Sequence, residues 1–137
     1  MRKRLMMVAA LATMVVTLAL PGTAAAASPG KFGFIDGYCT GNNTVHATFK
    51  LVKYSGVYAS ELTMKAQGQG YYNGGWHNEG QANTFTHGGG GYSKVSWSDT
   101  FKWNPGHSGK HRIKVVGKIW DGNNVVGSRS DVSGFCQ

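Results

Sequence analysis

The stretch TVHATFKLVKY, residues 44–54, settles the fold class. Val45, Ala47, Phe49 and Leu51 fall on one parity, and His46, Thr48 and Lys50 on the other. Strict alternation marks a strand with one face on a core and one in water, because successive side chains of an extended chain point to opposite faces. A helix of this sequence would scatter the same apolar residues around its axis.

The period of two continues on both sides. In VYASELTMKA (57–66), Leu62, Met64 and Ala66 oppose Glu61, Thr63 and Lys65. In YSKVSWSDTFKW (92–103), Val95, Trp97, Phe101 and Trp103 share a parity against Lys94, Ser96, Ser98 and Lys102, with Asp99 the one acid among the apolar side chains. In KHRIKVVGKIW (110–120), Ile113, Val115 and Ile119 point inward and Arg112, Lys114 and Lys118 outward. KFGFIDGYC (31–39), ANTFTH (82–87) and VVGSRSDVSGFC (125–136) complete a set of about seven strands. Turn residues that tolerate positive φ separate them at Gly41-Asn42-Asn43, Asn104-Pro105-Gly106 and Asp121-Gly122-Asn123-Asn124. The short link through Tyr54-Ser55-Gly56 predicts a hairpin between the second and third strands. With 21 glycines and no 3.6-residue period after the first segment, helices are not expected. The predicted architecture is an all-β, immunoglobulin-like antiparallel sandwich, with a small β-barrel as the alternative.

The first segment is different in kind. MRKR, an apolar run LMMVAALATMVVTLAL, then PG and an alanine-rich boundary follow the order of a secretory signal peptide. An A-x-A pattern ends at Ala27, so residues 1–27 are assigned to a leader and 28–137, about 110 residues, to a single sandwich domain. The alternative is an uncleaved anchor, for which the apolar run is short. The expected location is secreted and extracellular, with no membrane span after cleavage. An oxidising compartment lets Cys39 and Cys136 form a disulfide, worth on the order of 4 to 5 kcal/mol in the chain-entropy model for a loop of this size. Removal of Arg2, Lys3 and Arg4 with the leader leaves eleven basic and six acidic residues, a net charge of +5. That balance suits contact with anionic polymers as well as simple solubility.

Functional chemistry concentrates in GQGYYNGGWHNEGQANTFTHGGGG, residues 68–91, which reads as a long glycine-rich loop. Tyr71, Tyr72 and Trp76 could stack on sugar rings while His77, Glu79 and neighbouring amides reach hydroxyls. The competing structural role is to fold back over one end of the sandwich. Lys94, Lys102, Lys110, Arg112, Lys114 and Lys118 would form a basic stripe if their strands were neighbours, or simply guard exposed edges. His77, Glu79 and His87 have zinc-ligand chemistry but sit in a segment too glycine-rich to hold a geometry, and no metal or other cofactor is expected. His107 and His111, four apart on an extended chain, would lie about 13 Å apart.

There is no G-x-S-x-G, no phosphate-binding glycine motif, no C-x-x-C and no nucleic-acid motif. Catalysis would have to use Glu79 or Asp99, and enzyme activity is not the expected outcome. The function expected is a secreted, non-catalytic module for a cell-wall or environmental polysaccharide or another polyanionic surface. The alternatives are a secreted protein-protein module, such as an inhibitor of extracellular hydrolases, and a small secreted hydrolase.

Overall fold

The structure, a computed structural model, describes residues 27–41 and 43–137. Seven strands follow in order: β1 (Gly30–Thr40), β2 (Thr44–Lys53), β3 (Ala59–Tyr72), β4 (Gly75–Gly91), β5 (Val95–Trp103), β6 (His111–Asp121) and β7 (Asn124–Val132). They build two antiparallel sheets, ordered β1-β2-β5 and β4-β3-β6-β7. This is an immunoglobulin-like sandwich and not a closed barrel. In the constant-type immunoglobulin arrangement the fourth strand lies in the sheet of the first, second and fifth; here β4 pairs with β3 in the other sheet. The predicted leader lies, apart from Ala27, outside the described residues. Among the described residues no helix is long and apolar enough to cross a membrane.

The inward parities are those the alternation marks. Val45, Ala47, Phe49 and Leu51 of β2, Leu62, Met64 and Ala66 of β3, and Ile113, Val115 and Ile119 of β6 form the buried core. Phe32, Phe34, Phe85 and the β5 residues Val95, Trp97, Phe101 and Trp103 pack around it. Cys39 and Cys136 form the disulfide, with Cα atoms 5.7 Å apart. Cys136 lies beyond β7, in a bridge to His111 at the start of β6, so the bond joins the end of β1 to the segment that finishes the second sheet.

Two expectations fail. Residues 54–58 do not close a hairpin: β2 and β3 belong to different sheets, and the connection crosses the sandwich. A link of this length serves either purpose, and what selects the crossover is the pairing of β3 with β6 over ten residues. The fifth inward position of β2, Lys53, is fully buried beneath this link, and its ammonium donates to the carbonyls of Val57 and Gly91.

The second failure concerns residues 68–91, which are not a loop. They are the end of β3, a two-residue turn and the whole of β4. Asn73 and Gly74 have φ of 50° and 77°, the left-handed pair of a type I′ turn, whose twist matches that of the flanking strands. Inward positions of β3 shrink along the strand, from Leu62 and Met64 through Ala66 to Gly68 and Gly70. Space that side chains would have filled is left for groups arriving from elsewhere.

Candidate functional site

Those arrivals are Trp103 and Glu79. A Cβ at Gly68 would meet the Trp103 indole from the facing sheet, and a Cβ at Gly70 would meet the Glu79 carboxylate. Glu79 is aimed there by an irregularity in the β3–β4 ladder, where Ala66 faces Asn83 but Gly68 already faces Glu79. The Gln67 amide satisfies this break, donating to the carbonyls of Glu79 at 2.6 Å and Gly80 at 3.1 Å. Glu79 therefore turns inward at the end of the sandwich and does not join the aromatic residues before it.

Two histidines meet it. His107 Nε2 lies 3.1 Å from Glu79 Oε2, and His111 Nε2 3.8 Å from the same oxygen. The two rings are 4.7 Å apart, centre to centre, which overturns the separation of about 13 Å expected for an extended chain. Gly106 and Gly109, at φ of 75° and 122°, fold the segment before β6 back on itself. His111 is buried at 1% exposure against Trp103, whereas the His107 side chain is 56% exposed. Bonds to the Ser108 carbonyl and to Glu79 raise the His107 pKa above 6.5; burial lowers that of His111 below it, and the neighbouring His107 adds to the shift.

The opposite parity of the same hairpin end makes an aromatic platform on the outer face of the four-stranded sheet. Tyr71 and Trp76 face each other across the ladder at 5.3 Å, edge to face. The Arg112 guanidinium lies over the Trp76 ring, 4.1 Å from its centre. Phe135, 53% exposed, extends the surface 6.3 Å from Trp76, and the Lys110 ammonium sits 5.2 Å from Phe135 and 5.9 Å from Tyr71. Arg112 Nε donates to Gln69 Oε1, and Gln69 Nε2 to Asn78 Oδ1, both at 2.9 Å, so a hydrogen-bonded polar row lies next to the Tyr71–Trp76 pair along the ladder. Partial burial lowers the Arg112 pKa without reaching a neutral form at any ordinary pH. A shallow depression lined by Lys65, Gln67, Asn78, Lys114 and Val116 continues the platform along the sheet.

The remaining candidates separate. Tyr72 and His77 lie off the platform, stacked at 4.1 Å, with the His77 ring bonded to the Tyr72 carbonyl. His87 stacks on Trp97 and bonds the Gly88 carbonyl, so His77, Glu79 and His87 do not converge. The basic stripe divides: Lys110, Arg112, Lys114 and Lys118 accompany β6, while Lys94 and Lys102 accompany β5 in the other sheet. Lys118 covers Trp120 at 5.4 Å. Asp99 accepts a hydrogen bond from the Thr100 amide at 2.8 Å. It lies four residues, about 13 Å, along β5 from Trp103, so Asp99 and Glu79 do not form the paired carboxylates of a glycosidase.

Signals for two of these features were present in the sequence. Asn73-Gly74 is a strong hairpin dipeptide, and Phe135, next to a bridged cysteine, is the platform residue that alternation alone did not single out.

No family model matches the chain, and no curated protein does. Among solved structures it resembles a chain designated a beta-galactosidase from Bacteroides fragilis, with a TM-score of 0.50 and 18% identity over 79% of this chain. This chain spans only 16% of that protein's length. A likeness at this identity bears on the fold alone, a two-sheet antiparallel β-sandwich, and goes no further.

Proposed function

We propose that the protein is a secreted, non-catalytic binding module for a cell-wall or environmental polysaccharide, and that the ligand lies on the outer face of β4, β3 and β6. One observation carries this reading: the Arg112 guanidinium packs over the Trp76 ring, with Tyr71 and Phe135 beside it and a hydrogen-bonded row of Gln69 and Asn78 next along the ladder. Apolar C–H faces of a sugar ring pack on aromatic rings, and amide and guanidinium groups pair with its hydroxyls. Strands β3, β4 and β6 carry Gln69, Tyr71, Trp76, Asn78 and Arg112, and Phe135 adjoins the bridged Cys136, so most of the backbone under the face is already ordered when a polymer settles on it. Lys110, Lys114 and Lys65 border the face and favour polymers bearing negative charge.

The test is retention of the purified protein on insoluble chitin, cellulose and whole bacterial cell wall at low and high salt. Retention that survives salt and is lost in Trp76→Ala supports the platform. Retention abolished by salt in both proteins assigns binding to the charged border alone. No retention on any polymer counts against the reading and favours a protein partner.

A further inference from the structure

We propose that Glu79, His107 and His111 form a binding site for one divalent transition-metal ion, zinc by the chemistry of its donors. The site closes the end of the sandwich where β4, the segment 104–110 and the start of β6 meet, on the opposite side of the hairpin from the saccharide face. One ligand atom from each residue can be chosen so that all three lie within 4.8 Å of one another. A tetrahedral ion with bonds of about 2.0–2.1 Å holds its ligand atoms about 3.3–3.4 Å apart. The contacts to Glu79 Oε2, 3.1 Å from His107 and 3.8 Å from His111, already bracket that spacing. Only the two imidazoles must draw together, and His107 stands on a segment with glycines on both sides.

Three further features fit an ion. His107 Nδ1 donates to the Ser108 carbonyl at 3.0 Å, which leaves Nε2 as the atom facing the site, as in most metal-bound histidines, and an ion would displace the proton that Nε2 shares with Glu79 Oε2. His111 is buried, and its Nε2 faces Glu79 Oε2 at 3.8 Å, beyond hydrogen-bond reach and so not engaged by the carboxylate. A buried imidazole with unspent bonding capacity is costly unless something else engages it. Gly70 has no side chain to occupy the place of the carboxylate, and Gln67 fixes the Glu79 backbone. Three protein ligands leave a fourth position, which faces solvent beside the exposed His107 and would hold water.

The experiment uses the purified chain without a polyhistidine tag and measures zinc affinity at neutral pH by competition with a chromophoric chelator. His107→Gln and Glu79→Gln are the informative variants, since these side chains are 56% and 19% exposed and their loss spares the core. Wild type should bind one zinc per chain and gain melting temperature with it. Each variant should bind about 100-fold or more weakly and show no thermal gain. His77→Gln and His87→Gln should match wild type. Cobalt in place of zinc should give the intense visible absorption of a four-coordinate ion. Binding by wild type no tighter than by Glu79→Gln, or binding lost in the His77 or His87 variants instead, overturns the proposal.

Discussion

The indole of Trp103 occupies the space that a side chain at Gly68, on the facing sheet, would fill. This pairing of a large residue with an absent one fills the space between the sheets at this end of the sandwich. It also places the His111 ring edge-on to Trp103 at 5.6 Å, beneath Glu79. Core packing and the candidate metal site therefore share one wall.

Gly68→Ala should destabilise the protein by about 1–3 kcal/mol, because the added methyl displaces the indole within a close-packed interior. Urea denaturation measures this. A change within about 0.5 kcal/mol would show that the Trp103 contact yields easily.

Replacing Cys39 and Cys136 by serine should cost about 2–5 kcal/mol, since the bond closes a separation of 97 residues. Chemical denaturation of the oxidised protein and the double variant reads the difference, and equal midpoints would contradict it.

Lys53→Ala should cost about 2–4 kcal/mol. It leaves the carbonyls of Val57 and Gly91 without their donor and opens a hole at a fully buried position. Lys53→Met, which keeps most of the volume, should lose less. Melting temperatures of the two variants should rank in that order.

Core faces and the Glu79 cluster differ in how far the sequence reveals them. Parity is written locally, residue by residue, so the core faces of β2, β3, β5 and β6 follow from alternation alone. Glycine carries no parity, and for that reason Gly68, Gly70 and Gly88 to Gly91 disguise two long strands as a loop. Which sheet a strand joins is a non-local property, and nothing in residues 54–58 distinguishes a hairpin from a crossover. The meeting of Glu79 with His107 and His111 depends on both effects. It requires the hairpin register and the backward fold at Gly106 and Gly109.

The two histidines should titrate on opposite sides of 6.5 in the metal-free protein, His107 above and His111 below. Proton NMR of the ring resonances measures both. The raised pKa of His107 contributes stability that is full below 6.5 and lost as pH rises through its folded value. His111 is native in its neutral form, so its contribution falls as pH drops below 6.5, where the unfolded chain takes up the proton first. His107→Gln removes the first effect and also the part of the His111 lowering that His107 supplies, so His111 should titrate closer to 6.5 in the variant while staying below it. A His111 ring that titrates unchanged or still lower in the variant would contradict these assignments.

The most direct test of the saccharide face is the binding isotherm of the protein on the insoluble polysaccharide that retains it, with Tyr71→Ala/Trp76→Ala measured beside wild type at high salt. The double variant removes two partly exposed rings from an outer sheet face and should melt within a few degrees of wild type. Affinity reduced about tenfold or more at an almost unchanged melting temperature is the predicted result. Unchanged affinity, or a loss that only accompanies a large drop in melting temperature, would show that the platform is packing and that recognition lies elsewhere.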